Sequence, residues 1–197
     1  MKIDLTEIYK GLDEWRAERK ITAESQKAGY IINIMEELGE LATALREYER
    51  FSKPSYPYQK NKKYAEHGII DALCDISVFT INAGVDVNCN EKIEIINTSQ
   101  TTRCNSSLSF LLSECGNFDY YGKLSSYVCF NQILLSCAKL CEQYGFNFEI
   151  AMLETIKEIS SRTGAYDEKA KKWIKDESDE ARAKWYKADY ELARIEK

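Results

Sequence analysis

The sequence predicts an all-α fold, a helical bundle followed by a charged C-terminal tail that adds a last helix. Three observations carry this reading. Apolar residues recur at helical spacing over long stretches, as in Ile31, Ile34, Leu38, Leu41 and Leu45. Only two prolines, Pro54 and Pro57, and nine glycines punctuate the chain, which leaves long runs free to be helical. Alternation of apolar and polar residues between turn signals, the mark of a half-buried strand, is scarce, and no convincing strand is expected.

A first helix is expected from Asp4 to Arg19. Asp4 stands at its cap, Glu7 at the capping-box position, and Ile8, Leu12 and Trp15 follow at helical spacing. Thr22 can cap a second helix running to about Arg50. A connector, Phe51–Lys63, holds both prolines. The third helix spans about Tyr64 to Ala83, with Gly84 placed to end it. Asp86–Ser106 reads as a polar loop insertion. Leu108–Cys115, Leu124–Tyr144 and Phe148–Ser161 read as further helices, and Ser178 can cap the last one, through Ala193. The chain thus divides into a core, 1–164, and a tail, 165–197, packed on the core or on a partner subunit. The second half also carries a faint echo of the first. Met35-Glu36-Glu37-Leu38-Gly39-Glu40 is similar to Leu112-Ser113-Glu114-Cys115-Gly116-Asn117, as a duplicated helical pair that has lost its acids would be.

With 197 residues, 44% of them hydrophobic, the chain can bury a core without disulfide or metal staples. Its net charge of -5 argues against duplex nucleic acid as a main partner. His67 is the sole histidine, which excludes a multi-histidine metal site and the Glu-x-x-His pairs of di-iron bundles. The seven cysteines form no CxxC pair and read as reduced core residues. Met1–Lys20 is too charged for a secretory segment. No apolar run reaches the roughly 20 residues needed to span a bilayer, so a cytoplasmic location is expected.

The chemistry-bearing pattern is acidic. On the second helix, Asn33, Glu36, Glu37, Glu40 and Glu47 point away from the aliphatic stripe, where a solvated face would lie. The third helix is different. Ile69, Ile70, Leu73, Cys74, Ile76, Val78, Phe79 and Ile81 make it apolar nearly all round, as buried helices are. It nevertheless carries Asp71 and Asp75, with Asn82 on the same side. No lysine or arginine lies between Tyr64 and Lys92. A buried carboxylate costs several kcal/mol unless it is paired, protonated or bound to a cation. A basic residue from another helix would answer this structurally, and a divalent cation functionally. Carboxylates converging from two helices invite a cation, and all-oxygen ligation favours magnesium, with manganese as a substitute. The competing expectation is a non-enzymatic helical interaction module whose acidic face is simply wet.

Glu36-Glu37-Leu38-Gly39-Glu40-Leu41, followed by Asp71-Ala72-Leu73-Cys74-Asp75, resembles the MazG-like all-α nucleoside triphosphate pyrophosphohydrolases, whose pattern is ExxE on one helix and ExxD on the next. The resemblance covers roughly Asp13–Val85. It also touches the tail, from Ser161-Arg162-Thr163-Gly164 to Trp173-Ile174-Lys175, which is similar to phage-type members. Ala72 departs from the pattern, and Asp71 is the substitute acid. The resemblance implies magnesium-dependent cleavage of a nucleoside triphosphate between its α- and β-phosphates. Glu36, Glu37, Glu40 and Asp75 would hold metal, and Glu36 or Asp71 would take the water's proton. It further implies substrate contacts from Asn82, from the cations Arg162, Lys169, Lys171 and Lys172, and from Lys60, Lys62 and Lys63 as competitors for the same role. Tyr64, Phe79, Trp15 or Trp173 would stack on the base. It also implies a homo-oligomer, dimer or tetramer, with the third helix and Leu124–Tyr144 as its interface.

Overall fold

Helical periodicity becomes helices over most of the chain, which is mostly α-helical with little strand. A computed structural model describes residues 2–53, 55, 61–84, 92–94, 108–120, 123–170 and 172–196. In order these form β1 (Lys2–Asp4), α1 (Thr6–Glu18), α2 (Ala23–Phe51), α3 (Lys62–Ala83), β2 (Lys92–Glu94), α4 (Leu108–Tyr120), α5 (Lys123–Gln143), α6 (Phe148–Ser161), β3 (Gly164–Asp167), β4 (Lys172–Lys175), α7 (Asp179–Arg182) and a 3-10 turn, Tyr190–Ala193. Most of the connector and of the polar insertion, and Lys60, Lys171, Cys89 and Cys104, lie outside the described residues.

α3 is the axis of the molecule. Its apolar circumference demands burial on every side, and Ile69, Ile70, Leu73, Cys74 and Ile76 are fully enclosed. α2 runs antiparallel along it: Gly68 lies against Ala44 at one end, and Asp75 feels the charge of Glu37 at the other. α5 covers a second side, with Cys74 against Cys141, Ser77 against Cys137 and Gly84 against Phe130. α6 closes a third through Thr155, which reaches Cys74. α4 leans on α2 through an edge-on Tyr30–Phe118 contact at 5.1 Å. The expectation that α3 supplies a subunit interface therefore fails, because its apolar surface is already covered within one chain. Exposed apolar side chains sit instead at Ile32 and Met35 of α2, Leu112 of α4 and Val128 of α5. Among the described residues no helix is long and apolar enough to cross a membrane.

Two glycines are required by their surroundings. Gly145 follows α5 with φ 84, and the Phe146 N–H closes back on the Cys141 carbonyl at 2.9 Å, so this helix ends in the left-handed conformation that glycine adopts freely. Gly84 ends α3 for another reason. Its φ of -89 is ordinary, but a Cβ there would stand 2.7 Å from two Phe130 ring carbons.

Several expectations are corrected. Asp4 does not cap α1. Its carboxylate accepts from the Thr6 N–H and hydroxyl, and the strand residues before it turn away to pair with Lys92–Glu94, inside what reads as a polar loop. Thr22 does cap α2, accepting from the Ser25 N–H at 3.2 Å. The expected C-terminal helical tail is mostly non-helical. β3 and β4 form an antiparallel hairpin, Tyr166 opposite Trp173, whose turn is tied by the Asp167 carboxylate accepting from the Lys169 and Ala170 N–H groups. Ser178 does cap α7, but that helix stops at Arg182 rather than continuing to Ala193. Side chains of α6 take the following backbone N–H groups: Tyr186 donates to Ser161, Ala188 to Glu158 and Asp189 to Glu154. Segment 186–194 therefore crosses α6 as a strap. Its end pairs with the α5–α6 turn through Asn147 N–H to Ala193 O and Ile195 N–H to Gly145 O.

Two predictions follow from this packing. Gly84→Ala should lower unfolding stability in urea by roughly 1–3 kcal/mol, because overpacking outweighs the gain in helix propensity of about 1 kcal/mol; an unchanged midpoint would contradict the close approach. Glu191 accepts from Arg194 and His67 and faces Lys63, and these partners hold its carboxyl at about 2 instead of the ordinary 4.5. A depressed acid adds stability above its unfolded value and loses it as pH falls. Amide exchange at Asn147 and Ile195 should accelerate as pH drops from 4.5 towards 2, after correction for intrinsic exchange, and Glu191→Gln should remove that dependence.

Candidate functional site

The candidate site lies where α2, α3 and α6 meet. The buried stripe of α2 is Tyr30, Ile34, Glu37, Leu41 and Ala44, a 4-3-4-3 spacing with a carboxylate at its centre. Glu37 is 8% exposed, whereas Glu36 and Glu40 are open to solvent. The reading of all three as one solvated face therefore holds for Glu36 and Glu40 and is wrong for Glu37. One Glu37 oxygen, Oε2, is buried with no hydrogen-bond partner.

Across from Glu37 stand Asp71 and Asp75, both half-buried on α3. Burial pushes the Glu37 carboxyl up to about 7, and the charges of Glu40, Asp71 and Glu36 push the same way against Arg162. Asp75 is raised well above the ordinary carboxylate range by burial and by the charges of Asp71 and Glu37. Asp71 is also raised by burial, but it has a partner: the Tyr190 hydroxyl donates to Asp71 Oδ1 at 2.5 Å. Among the described residues, none of these three acids forms an ion pair with lysine or arginine.

The nearby cations are attached elsewhere. Arg162, at the end of α6, donates to Glu158 Oε1 at 3.2 Å, and Lys187 of the strap reaches the same oxygen at 3.2 Å. Burial raises Glu158, but the Ala188 N–H, Lys187 and Arg162 together hold its carboxyl below the ordinary range. Its neighbour Glu154, 2% exposed, accepts from Tyr186, Lys157 and the Asp189 N–H. Glu154 and Glu158 of α6 are thus answered, whereas among the described residues no ion pair answers Glu37, Asp71 or Asp75.

The other sequence-predicted residues are distributed around this centre. Asn82 is fully buried at the far end of α3, where Oδ1 accepts from Arg16, itself paired with Asp13, while Nδ2 is unpartnered. Lys63 faces Glu191 at 3.7 Å, and Lys62 lies over the Tyr48 ring. Lys169 and Lys172 are exposed on the β3–β4 hairpin. Trp173 does not face the acids. Its ring lies 5.0 Å from Arg19, which is also 5.5 Å from the Trp15 ring and whose guanidinium donates to the carbonyls of Ile159, Ser160 and Arg162. Tyr64 is exposed and Phe79 half-buried. A cavity of about 680 Å³, lined in part by Tyr48, Lys62, Glu66, Glu142 and Arg194, opens elsewhere, and no acid of the site lines it.

Sequence reasoning missed Tyr190, Glu158, Lys187 and Arg16. Tyr190 lies 119 residues from Asp71, and no local pattern links them. Glu154 and Glu158, four apart on α6, carried a signal of the same kind as Asp71 and Asp75.

The donor set, carboxylate oxygens with one buried and unsatisfied, suits a hard divalent cation. Among the described residues no group of three or more His, Cys, Asp or Glu side chains is placed to hold a metal ion. Comparison of the chain with protein-family models, curated proteins and solved structures returns no match.

Stability of the metal-free protein should report Glu37 directly. Its carboxyl stands at about 7 in the fold against an ordinary 4.5. The contribution of Glu37 to stability is therefore fully present below pH 4.5 and is lost as pH rises through 7. Glu37→Gln should flatten this decline and stabilise the metal-free protein at pH 8, by about 1–2 kcal/mol once solvent screening is allowed for. A destabilised variant at that pH would show Glu37 to be paired.

Proposed function

We propose that the chain is a magnesium-dependent nucleoside triphosphate pyrophosphohydrolase, cleaving between the α- and β-phosphates to a nucleoside monophosphate and pyrophosphate. One observation carries the proposal: a buried, unpartnered oxygen of Glu37 sits opposite Asp71 and Asp75 with no compensating ion pair among the described residues. The motif resemblance supplies the chemistry. Glu37, Glu40 and Asp75, with Glu36, would hold magnesium or manganese. Bound there, the cation supplies charge for the phosphates and acidifies a water. Glu36 or Asp71 takes that water's proton while its oxygen bonds to the α-phosphorus, and the bond to the bridging oxygen breaks to release pyrophosphate. Arg162 and Lys187, close enough to bias the acids, offer positive charge to the leaving group. Assembly of two copies belongs to the same proposal, with Ile32, Met35 and Leu112 as the exposed apolar surface.

The exposure of Glu36 and Glu40 favours a second reading, in which the acidic face docks a basic partner and performs no chemistry. A panel of ribo- and deoxyribonucleoside triphosphates with magnesium separates the two. The enzyme releases pyrophosphate and monophosphate. Glu37→Gln and Asp75→Asn should each remove several kcal/mol of transition-state stabilisation, about 100-fold or more in rate. Orthophosphate as the first product would move the cleaved bond, and inert wild-type protein would leave the docking reading.

A further inference from the structure

The acids of the site differ in what lies behind them, and the difference divides their roles. Glu37 Oε2 has nothing behind it. Asp71 ends a chain of hydroxyl groups. The Tyr190 hydroxyl is 2.5 Å from Asp71 Oδ1 and 3.0 Å from Thr155 Oγ1, and Thr155 Oγ1 is 3.1 Å from the Ala151 carbonyl oxygen. Tyr190 is 4% and Thr155 2% exposed, so both hydroxyls are shielded from solvent, while Asp71 is half-buried.

Proton counting decides what this chain is for. Three contacts join these four groups, with the Cys74 thiol a side branch at Thr155 that brings its own proton, and each contact needs one proton. The two hydroxyls supply two, and the carbonyl supplies none. With Asp71 ionised, Tyr190 donates to it and one contact further along stays unfilled. With a proton on Asp71 Oδ1, the carboxyl donates to Tyr190, Tyr190 turns to Thr155, Thr155 donates to Ala151, and every contact is filled. A proton on Oδ2 leaves the Tyr190 bond to Oδ1 intact. Asp71 is thus held through Tyr190 with and without a proton: the ionised form leaves one buried contact unfilled, and protonation with hydroxyl rotation fills it.

We propose that Asp71 is the proton-accepting residue of the site, and that Tyr190 and Thr155 are its positioning residues, delivered by the C-terminal strap and by α6. This rests on the hydrolytic reading above and deepens it. The water's O–H bond breaks, the proton bonds to an Asp71 oxygen, the water oxygen bonds to the α-phosphorus as the bond to the bridging oxygen breaks and pyrophosphate leaves, and the carboxyl later returns the proton to solvent or pyrophosphate. Glu37 and Asp75 are left to the cation. The strap has a consequence of its own: the site is complete only when segment 186–194 is docked on Glu154 and Glu158.

The test uses the full chain. Asp71→Asn should lower kcat by about 100-fold or more while magnesium still binds, unlike Glu37→Gln and Asp75→Asn. Tyr190→Phe should lower kcat by about 10-fold or more, with KM for the magnesium–nucleotide complex within roughly twofold of wild type, the pattern of an interaction made in the transition state. Thr155→Val should move kcat in the same direction by less. An unchanged kcat in Tyr190→Phe, or loss of magnesium binding in Asp71→Asn, overturns the assignment. An infrared arm is independent of turnover. The C–O stretch of Tyr190, identified by its loss in Tyr190→Phe, should shift in both Asp71→Asn and Thr155→Val. A shift with Asp71→Asn alone overturns the hydroxyl chain. Wild-type protein that hydrolyses no triphosphate overturns the function and the base assignment together, and the infrared result then decides the chain on its own.

Discussion

An apolar helix that carries two carboxylates and no base imposes the constraint on which the rest of the structure depends. α3 has to be enclosed, because its aliphatic residues surround it. Enclosing it places Asp71 and Asp75 at the edge of the core, where an uncompensated charge costs several kcal/mol. The fold does not remove this cost by pairing. α2 adds a third carboxylate, Glu37, in the middle of its own buried stripe. Burial raises each of the three acids first; the charge of Asp71 then raises Glu37 and Asp75, and that of Glu37 raises Asp75. A protein that keeps like charges together in a half-dry place stores an affinity for protons or for a cation.

The contrast with α6 makes the arrangement specific. Glu154 is buried and Glu158 half-buried in the same region, yet each is met by a cation, a tyrosine hydroxyl or backbone N–H groups from the strap. The chain therefore has the means to satisfy acids and applies it to Glu154 and Glu158, while Glu37 and Asp75 receive no ion pair among the described residues. The same strap sets Tyr190 behind Asp71. Arg162 and Lys187, both fastened to Glu158, sit near enough to bias the acids without neutralising them. Arg19, in contact with the rings of both Trp15 and Trp173, ties the end of α6 to α1 and to the hairpin.

Much of this was legible in residues whose signals are local. The helical stripes of α2, α3 and α6 located those helices to within a few residues, and Thr22 and Gly84 marked their ends. The anomaly of Asp71 and Asp75 was visible because no base lies near them in sequence. The burial of Glu37 was misjudged through a choice of stripe. Ile31, Leu38 and Leu45 suggest a seam one residue away from the observed Tyr30, Glu37 and Ala44, and that rotation of about 100° turns Glu37 outward. The tail was misread for a different reason. Its composition suits a helix, and what breaks it is the set of N–H acceptors offered by Ser161, Glu158 and Glu154 on α6. Such long-range competition leaves no periodic trace, and neither does the meeting of Tyr190 with Asp71.

The central claim is that Glu37, Asp71 and Asp75 form a proton-holding pocket that a divalent cation can occupy. Its most direct test is proton release on adding magnesium to weakly buffered protein at pH 7, because ligand carboxylates must lose their protons to bind. The account predicts measurable release from the wild type, close to one proton or more per chain, since Glu37 stands at about 7 and Asp75 well above its ordinary range. Release should shrink in Glu37→Gln and in Asp75→Asn. Magnesium binding with no proton released, or no binding at all, would contradict it.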